Sequence, residues 1–146
     1  MKNVYSFLDV TASLVGPGGV ISLGSGAGVA DEGITIEPTG DIGAMLIGAD
    51  GFGQHSLHAD KSGRVTVRLL KTSPVNAALT AMYALQTASA DAYGQNTLLI
   101  TDSSRGDVIS CRQVAFSKAP TSNYAKEAGL MEWDFNAVVI DRALGA

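Results

Sequence analysis

The sequence predicts a mainly β fold, an antiparallel β-sandwich or partly open barrel with one flanking α-helix. Three observations carry that expectation. Apolar and polar residues alternate with period two through most of the chain, the apolar runs are rich in β-branched residues, and a single Ala/Leu/Met-rich stretch is bounded by helix start and stop signals.

Taken in order, Val4 to Val15 alternates apolar residues with Ser, Asp and Thr. Gly16-Pro17-Gly18-Gly19 then supplies a turn before Val20-Ile21-Ser22-Leu23, which predicts an antiparallel hairpin. Further strands are expected over Val29–Glu37, Ala44–Ile47, Arg64–Lys71, Thr97–Thr101, Val108–Phe116 and Met131–Ile140, about eight in all. The helix is expected over 73–93, with Ser73 as N-cap, Pro74 in the first helical position and Gly94 as the stop. Val75, Leu79, Met82 and Tyr83, with Leu85 nearby, form its apolar stripe. The opposite side carries Asn76, Thr80, Gln86 and Thr87 and no charge before Asp91. A solvated helix face normally carries Lys or Glu, so Asn76, Thr80 and Thr87 mark a face that packs on a neighbouring subunit or an outer shell.

Residues 38–63 are rich in glycine, and Asp50-Gly51 marks a hairpin tip within them. An insertion of this length is functional more often than it is a mere connection, and the expectation is a long projecting hairpin arm. Its plainer alternative is a two-stranded extension of the main sheet.

Composition narrows the function. The chain of 146 residues fits a single domain spanning 1–146, and its one cysteine, Cys111, excludes an internal disulfide and reads as a small buried hydrophobe. Asp9 breaks the apolar run after Lys2, so no signal peptide is expected, and glycines or polar residues interrupt both long uncharged stretches, so no membrane insertion is expected. A formal net charge of -4 argues against binding nucleic acid by phosphate neutralisation. Charge is unevenly placed: residues 1–60 carry one base and seven acids, residues 61–146 nine bases and seven acids. Only 16% of residues are charged against 46% hydrophobic, a sparse charged surface for a lone small domain, as if much of it met other subunits.

No catalytic constellation is found, and no cofactor or metal is expected. Gly24-Ser25-Gly26-Ala27-Gly28 lacks the third glycine of a dinucleotide loop and leads into a strand rather than a helix. His55 and His58 have no further ligands to complete a metal site. The acids Glu37, Asp41, Asp50 and Asp60 are scattered rather than paired. Acids of the N-terminal half could instead line the interior of a ring, where like charge keeps phosphates from adhering; Glu37, Asp41 and Asp60 are the candidates.

Several blocks, in their order, carry a resemblance. Tyr5-Ser6-Phe7-Leu8-Asp9-Val10, the block from Gly24 to Ile34, Gly48-Ala49-Asp50-Gly51, the block from Lys61 to Pro74 and Glu132-Trp133-Asp134-Phe135 resemble the tail tube proteins of contractile-tailed bacteriophages, over nearly the whole chain. The resemblance implies a structural virion protein whose hexameric rings stack helically into the hollow inner tail tube and conduct DNA during ejection. It places the product in the virion tail, assembled in the bacterial host cytoplasm. It implies the tail sheath protein outside, a baseplate or tube initiator, a tail terminator, and tape measure protein and DNA in the lumen without sequence-specific binding. It gives residues 38–63 the role of an inter-ring arm and puts the helix on the outer, sheath-facing side; it supplies no particular contacts, and on the arm Asp41, Met45, Asp50, Gly51, Phe52 and His55 are the candidates. Two rivals stand beside it: the tube protein of a genome-free contractile injection system, and a monomeric ligand-binding β-barrel.

Overall fold

A computed structural model describes residues 3–145; Lys2, the basic residue ahead of the first apolar run, lies outside the described residues. Seven strands form one antiparallel sheet, and two more form a separate hairpin. In chain order the elements are a short 3-10 turn (Phe7–Asp9), β1 (Val10–Gly16), β2 (Gly19–Ser22), β3 (Val29–Pro38), β4 (Gly43–Ile47), β5 (Gly53–Leu57), β6 (Gly63–Leu70), α1 (Val75–Thr87), β7 (Asn96–Asp102), β8 (Asp107–Lys118) and β9 (Leu130–Ala143). The sheet order is β2-β1-β7-β8-β9-β6-β3, which leaves β2 and β3 as its two edges. The sheet curls until residues of β3 and of β1, β7 and β8 line opposite walls of one cleft. The result is the open-barrel form of the expected fold.

The period-two pattern selects the face. Val65, Val67 and Leu69 of β6, Trp133 and Phe135 of β9, Val114 and Phe116 of β8, Leu98 of β7 and Leu14 of β1 are all buried in one core, and Leu79 and Met82 of α1 close it. Phe116 is its hub, with ring centroids 5.5 Å from Tyr83, 5.9 Å from Trp133 and 4.9 Å from Phe135. Edge-on and tilted contacts of this kind add to the area term. Cys111 is fully buried, as expected of a small hydrophobe, and burial pushes its thiol up to about 11.

Gly53–Leu57 adds a ninth strand to the eight expected and β9 runs on to Ala143, while three other boundaries move for physical reasons. The first strand begins at Val10 rather than Val4, because the Ser6 hydroxyl accepts from Leu8 N and the next residues close a 3-10 turn. The helix ends at Thr87 rather than near Tyr93, and Gly94 (φ +78) serves a later turn. Three bonds turn the chain back: Gln86 and Asn96 exchange side-chain amide bonds of 2.7 Å in both directions, and Gln86 Nε2 also donates to the Pro17 carbonyl at 2.8 Å. Gln86, expected on the outer side of the helix, is therefore completely buried. At the start, Pro74 is the N-cap residue, and Ser73 is turned inward with its hydroxyl donating to the Ala27 carbonyl.

Candidate assembly surfaces

Residues 38–63 form the arm. β4 and β5 pair only with each other, in the register Met45↔His55 and Ile47↔Gly53, so the hairpin is no extension of the main sheet. Its tip is tied by Gly48 and Phe52, whose backbones hydrogen-bond at 2.8 Å, and by the Asp50 carboxylate, which accepts from Phe52 N. Gly51 holds φ +88, the left-handed conformation that makes an Asp-Gly tip work. The base is anchored where Lys61 bridges Val139 and its carbonyl accepts from Ile140 N. A Cβ on Gly63 would collide with the Glu37 carbonyl and with Ile140, so glycine is required at that crossing.

The arm leaves its apolar side chains in water. Met45, Leu46, Ile47, Phe52 and Leu57 are all exposed, Phe52 at 79%. A lone two-stranded hairpin is marginal in water, and a contiguous apolar patch on a projecting element marks an interaction surface. Asp41, Asp50 and His55 are exposed on the same element; His58 Nδ1 lies 3.2 Å from the Asp41 carbonyl oxygen. Asp60 sits at the base, where hydrogen bonds from Ser62 hold its carboxyl below the usual aspartate range. No group of three or more candidate metal ligands exists among the described residues.

The helix supplies a second surface. Thr80 and Thr87 are exposed, with Ala77, Ala81, Ala84 and Leu85 beside them and no charged residue in the helix. The two threonine hydroxyls bond back to the carbonyls of Asn76 and Tyr83, which leaves an uncharged and largely satisfied face. Asn76 departs from the expectation. Its amide nitrogen donates to the Leu70 carbonyl at 3.0 Å and its oxygen accepts from Trp133 Nε1 at 3.1 Å, so the half-buried side chain works inward. No helix among the described residues is long and apolar enough to cross a membrane.

The third surface is the sheet face that the helix does not cover. Because Val65, Val67 and Leu69 point to the core, Arg64, Thr66 and Arg68 point away from it. Across the ladders stand Glu37↔Arg64↔Asn136, Thr35↔Thr66↔Asp134↔Lys118 and Arg68↔Glu132. Thr66 donates to Asp134 at 2.9 Å, and Arg68 donates diagonally to Thr35 at 2.8 Å. On β1 and β7 the same face carries Thr11, Ser13, Thr97 and Thr101 together with the exposed apolar Val15 and Leu99, and Thr11 and Thr101 are joined hydroxyl to hydroxyl. Of the three acids considered for a ring interior, Glu37 lies on this face, Asp60 lines a cavity with Asn136 and Val138 at the base of the arm, and Asp41 lies on the arm.

Among the described residues neither edge strand, β2 or β3, has a further partner. Along β3 the register slips between Val29 and Ile34, around Gly33 at φ +66. The segment Gly24–Gly28 is the turn between β2 and β3, with Gly26 and Gly28 at positive φ, and no helix follows it. A mainly apolar cleft of about 440 Å³ opens where the curled sheet fails to close, lined among others by Phe7, Val29, Ile36 and Ile100.

Among the described residues, a single-helix open barrel with two unpaired edge strands and an arm whose strands pair only with each other has the shape of a subunit. Family comparison agrees: the model of the bacteriophage PhiTE tail tube protein family matches residues 2–145. The chain belongs to that family. It is accordingly a structural tail tube protein rather than an enzyme, and family membership places it in the virion tail. Solved structures share its fold, two of them over nearly the whole chain. One is described as the tube-terminating cap of the anti-feeding prophage (TM-score 0.58, 11% identity, covering 99% of this chain and 94% of that chain). The other belongs to a sheath–tube complex of an extracellular contractile injection system, PVC, in its extended state (TM-score 0.57, 10% identity, covering 99% and 94%). No curated protein matches the chain.

Proposed function

We propose that this tail tube protein assembles as hexameric rings, that the rings stack helically into the hollow inner tube of a contractile tail, and that the tube conducts DNA during ejection. The observation that carries the reading is the arm. Its exposed Met45, Leu46, Ile47 and Phe52 have no cover within the protomer, and in a stack of rings the next ring supplies it. Asp41, Asp50, Gly51 and His55 ride on the same element as polar contacts between rings. The free edges of β2 and β3 support the same reading, since joining edges around a ring removes unpaired backbone groups that otherwise invite aggregation.

The uncharged helix face at Thr80 and Thr87 is the sheath-facing side in this arrangement; the sheath–tube complex of the structural neighbour supports it. A baseplate initiator starts the stack, a terminator ends it, and tape measure protein precedes DNA in the lumen. Assembly takes place in the host cytoplasm. The tube works by cohesion and shape, so that contraction of the sheath drives it forward without disassembling it.

Electron microscopy of the purified protein at rising concentration tests the reading. Hollow rods of uniform diameter are expected from the native chain, and only small particles from M45D/F52D, with circular dichroism and melting unchanged because both side chains are exposed. Rods of normal length from that variant would refute the role of the arm. Dilution-resistant monomers at every concentration, even with baseplate proteins added, would refute the tube.

A further inference from the structure

Besides the arm, one more stretch of the protomer stands uncovered, and it lies at the other end of the strands. The connection between β8 and β9, residues 119–129, holds no strand or helix, and every residue from 121 to 130 is exposed. One side chain pins it to the end of β6. Lys71 Nζ donates to the Asn123 carbonyl at 2.9 Å and lies 3.8 Å from the centroid of the Tyr124 ring, while Lys71 N donates to the Gly129 carbonyl. Tyr124 nevertheless remains 87% exposed. The flanking Leu70 and Leu130, directly opposite each other on β6 and β9, are exposed as well. A tyrosine held in place beside an exposed leucine pair is the composition of an interface core.

Strand direction sets this patch opposite the arm. The chain leaves β3 for the arm at Pro38 and returns into β6 at Gly63, its cross-strand neighbour, whereas β6 ends at Leu70, about 23 Å further along. Charge differs between the two ends in a complementary sense. Residues 39–60 carry Asp41, Asp50 and Asp60 and no lysine or arginine, while residues 118–129 and the anchoring Lys71 together carry three lysines against one acid, Glu127. Lys118 and Lys126 are exposed.

We infer that the patch around Lys71, Tyr124, Leu70 and Leu130 is the acceptor for the arm of a second copy of this chain in the next ring. Met45 and Phe52 of the arm cover the tyrosine and the leucine pair, and Asp41 and Asp50 meet Lys118 and Lys126. The inference rests on the tube reading and deepens it by naming the surface that receives the arm. Two halves of one contact at opposite ends of a protomer make a heterologous interface, which repeats without closing and builds a filament. Reach is sufficient, since the ten residues from Pro38 to Gly48 span up to about 33 Å when extended, more than the length of β6. Charge also fixes polarity: two arms, or two lysine-bearing loops, set against each other repel, so rings add in one sense only.

Carbodiimide coupling of assembled rods, which joins carboxylates to amines in direct contact, tests the pairing when the coupled peptides are mapped by mass spectrometry. Bonds from Asp41 or Asp50 to Lys118 or Lys126 are expected in rods and absent from the dilute protomer. K118E/K126E should raise the concentration at which rods form by about tenfold, since an exposed ion pair is worth up to about fivefold and reversal adds repulsion. Its melting when dilute should not change, because among the described residues neither lysine has a hydrogen-bond or ion-pair partner. Y124A keeps every lysine and should raise the same concentration by about fivefold or more. Arm acids that couple only to other lysines, or rods that form from both variants at the native concentration, overturn this acceptor and leave the tube standing. A native chain that forms no rods, even with baseplate proteins added, removes the tube reading and the acceptor with it.

Discussion

The buried amide pair between helix and sheet gives the sharpest test of how this fold is held. Gln86 and Asn96 are both fully buried and satisfy each other through two bonds of 2.7 Å, with Pro17 as the third partner. Q86M keeps the volume and removes the polarity, leaving the amide nitrogen and oxygen of Asn96 buried without partners. Each unsatisfied group costs about 1–3 kcal/mol, so the loss should be about 3 kcal/mol. N96L strands only the Gln86 oxygen, because its nitrogen keeps the Pro17 carbonyl, and should cost about 2 kcal/mol. The double variant strands neither amide and loses only the bond to Pro17, so its cost should be about 2 kcal/mol. The expected coupling is thus about 3 kcal/mol, at the upper end for residues in direct contact. Urea unfolding of the dilute chain measures it: with an m-value of about 2 kcal/mol/M, Q86M should move the midpoint down by about 1.5 M. Additive losses, or a double variant worse than either single one, would show that the pair does not act as a unit and that another contact turns the helix back.

The remaining predictions concern single groups. N76A leaves the Trp133 indole N–H without its acceptor and should cost about 1–3 kcal/mol in thermal unfolding, while rods still form because the side chain works inward. T80E/T87E should leave the protomer's melting unchanged and abolish sheath attachment in a sheath-addition assay; normal sheathing would remove the helix from that interface. Cys111, with its thiol pushed up to about 11 by burial, should resist maleimide at pH 8 until urea unfolds the chain. Because the folded thiol holds its proton above the unfolded value, its contribution to stability is complete below about pH 8.5 and declines as pH rises through about 11. C111A should lose that part of the alkaline decline.

Much of this molecule follows from local chemistry. Alternation in Arg64–Lys71 and Thr97–Thr101 marks strands because one face of each must be buried. Asp50-Gly51 marks a hairpin tip because only such residues accept its backbone, and Gly24–Gly28 is barred from nucleotide binding by the strand that follows it. The lack of charge on Thr80 and Thr87 is likewise legible without coordinates. What periodicity cannot carry is which strands become neighbours. Arg64 and Glu37 are separated by the whole arm, and Lys118 and Asp134 by an exposed loop, so they stand opposite one another only in the β3-β6-β9-β8 order. The same holds for Gln86 and Asn76, polar residues read as outward until Asn96 and Trp133 are brought against them. The sequence by itself determined eight of the nine strands, the helix, the arm and the absence of a catalytic constellation, all of which rest on contacts between near neighbours. Only the tertiary structure decided where the helix stops, which polar side chains turn inward and which charged residues stand opposite one another, because each depends on partners that sheet order and register bring together.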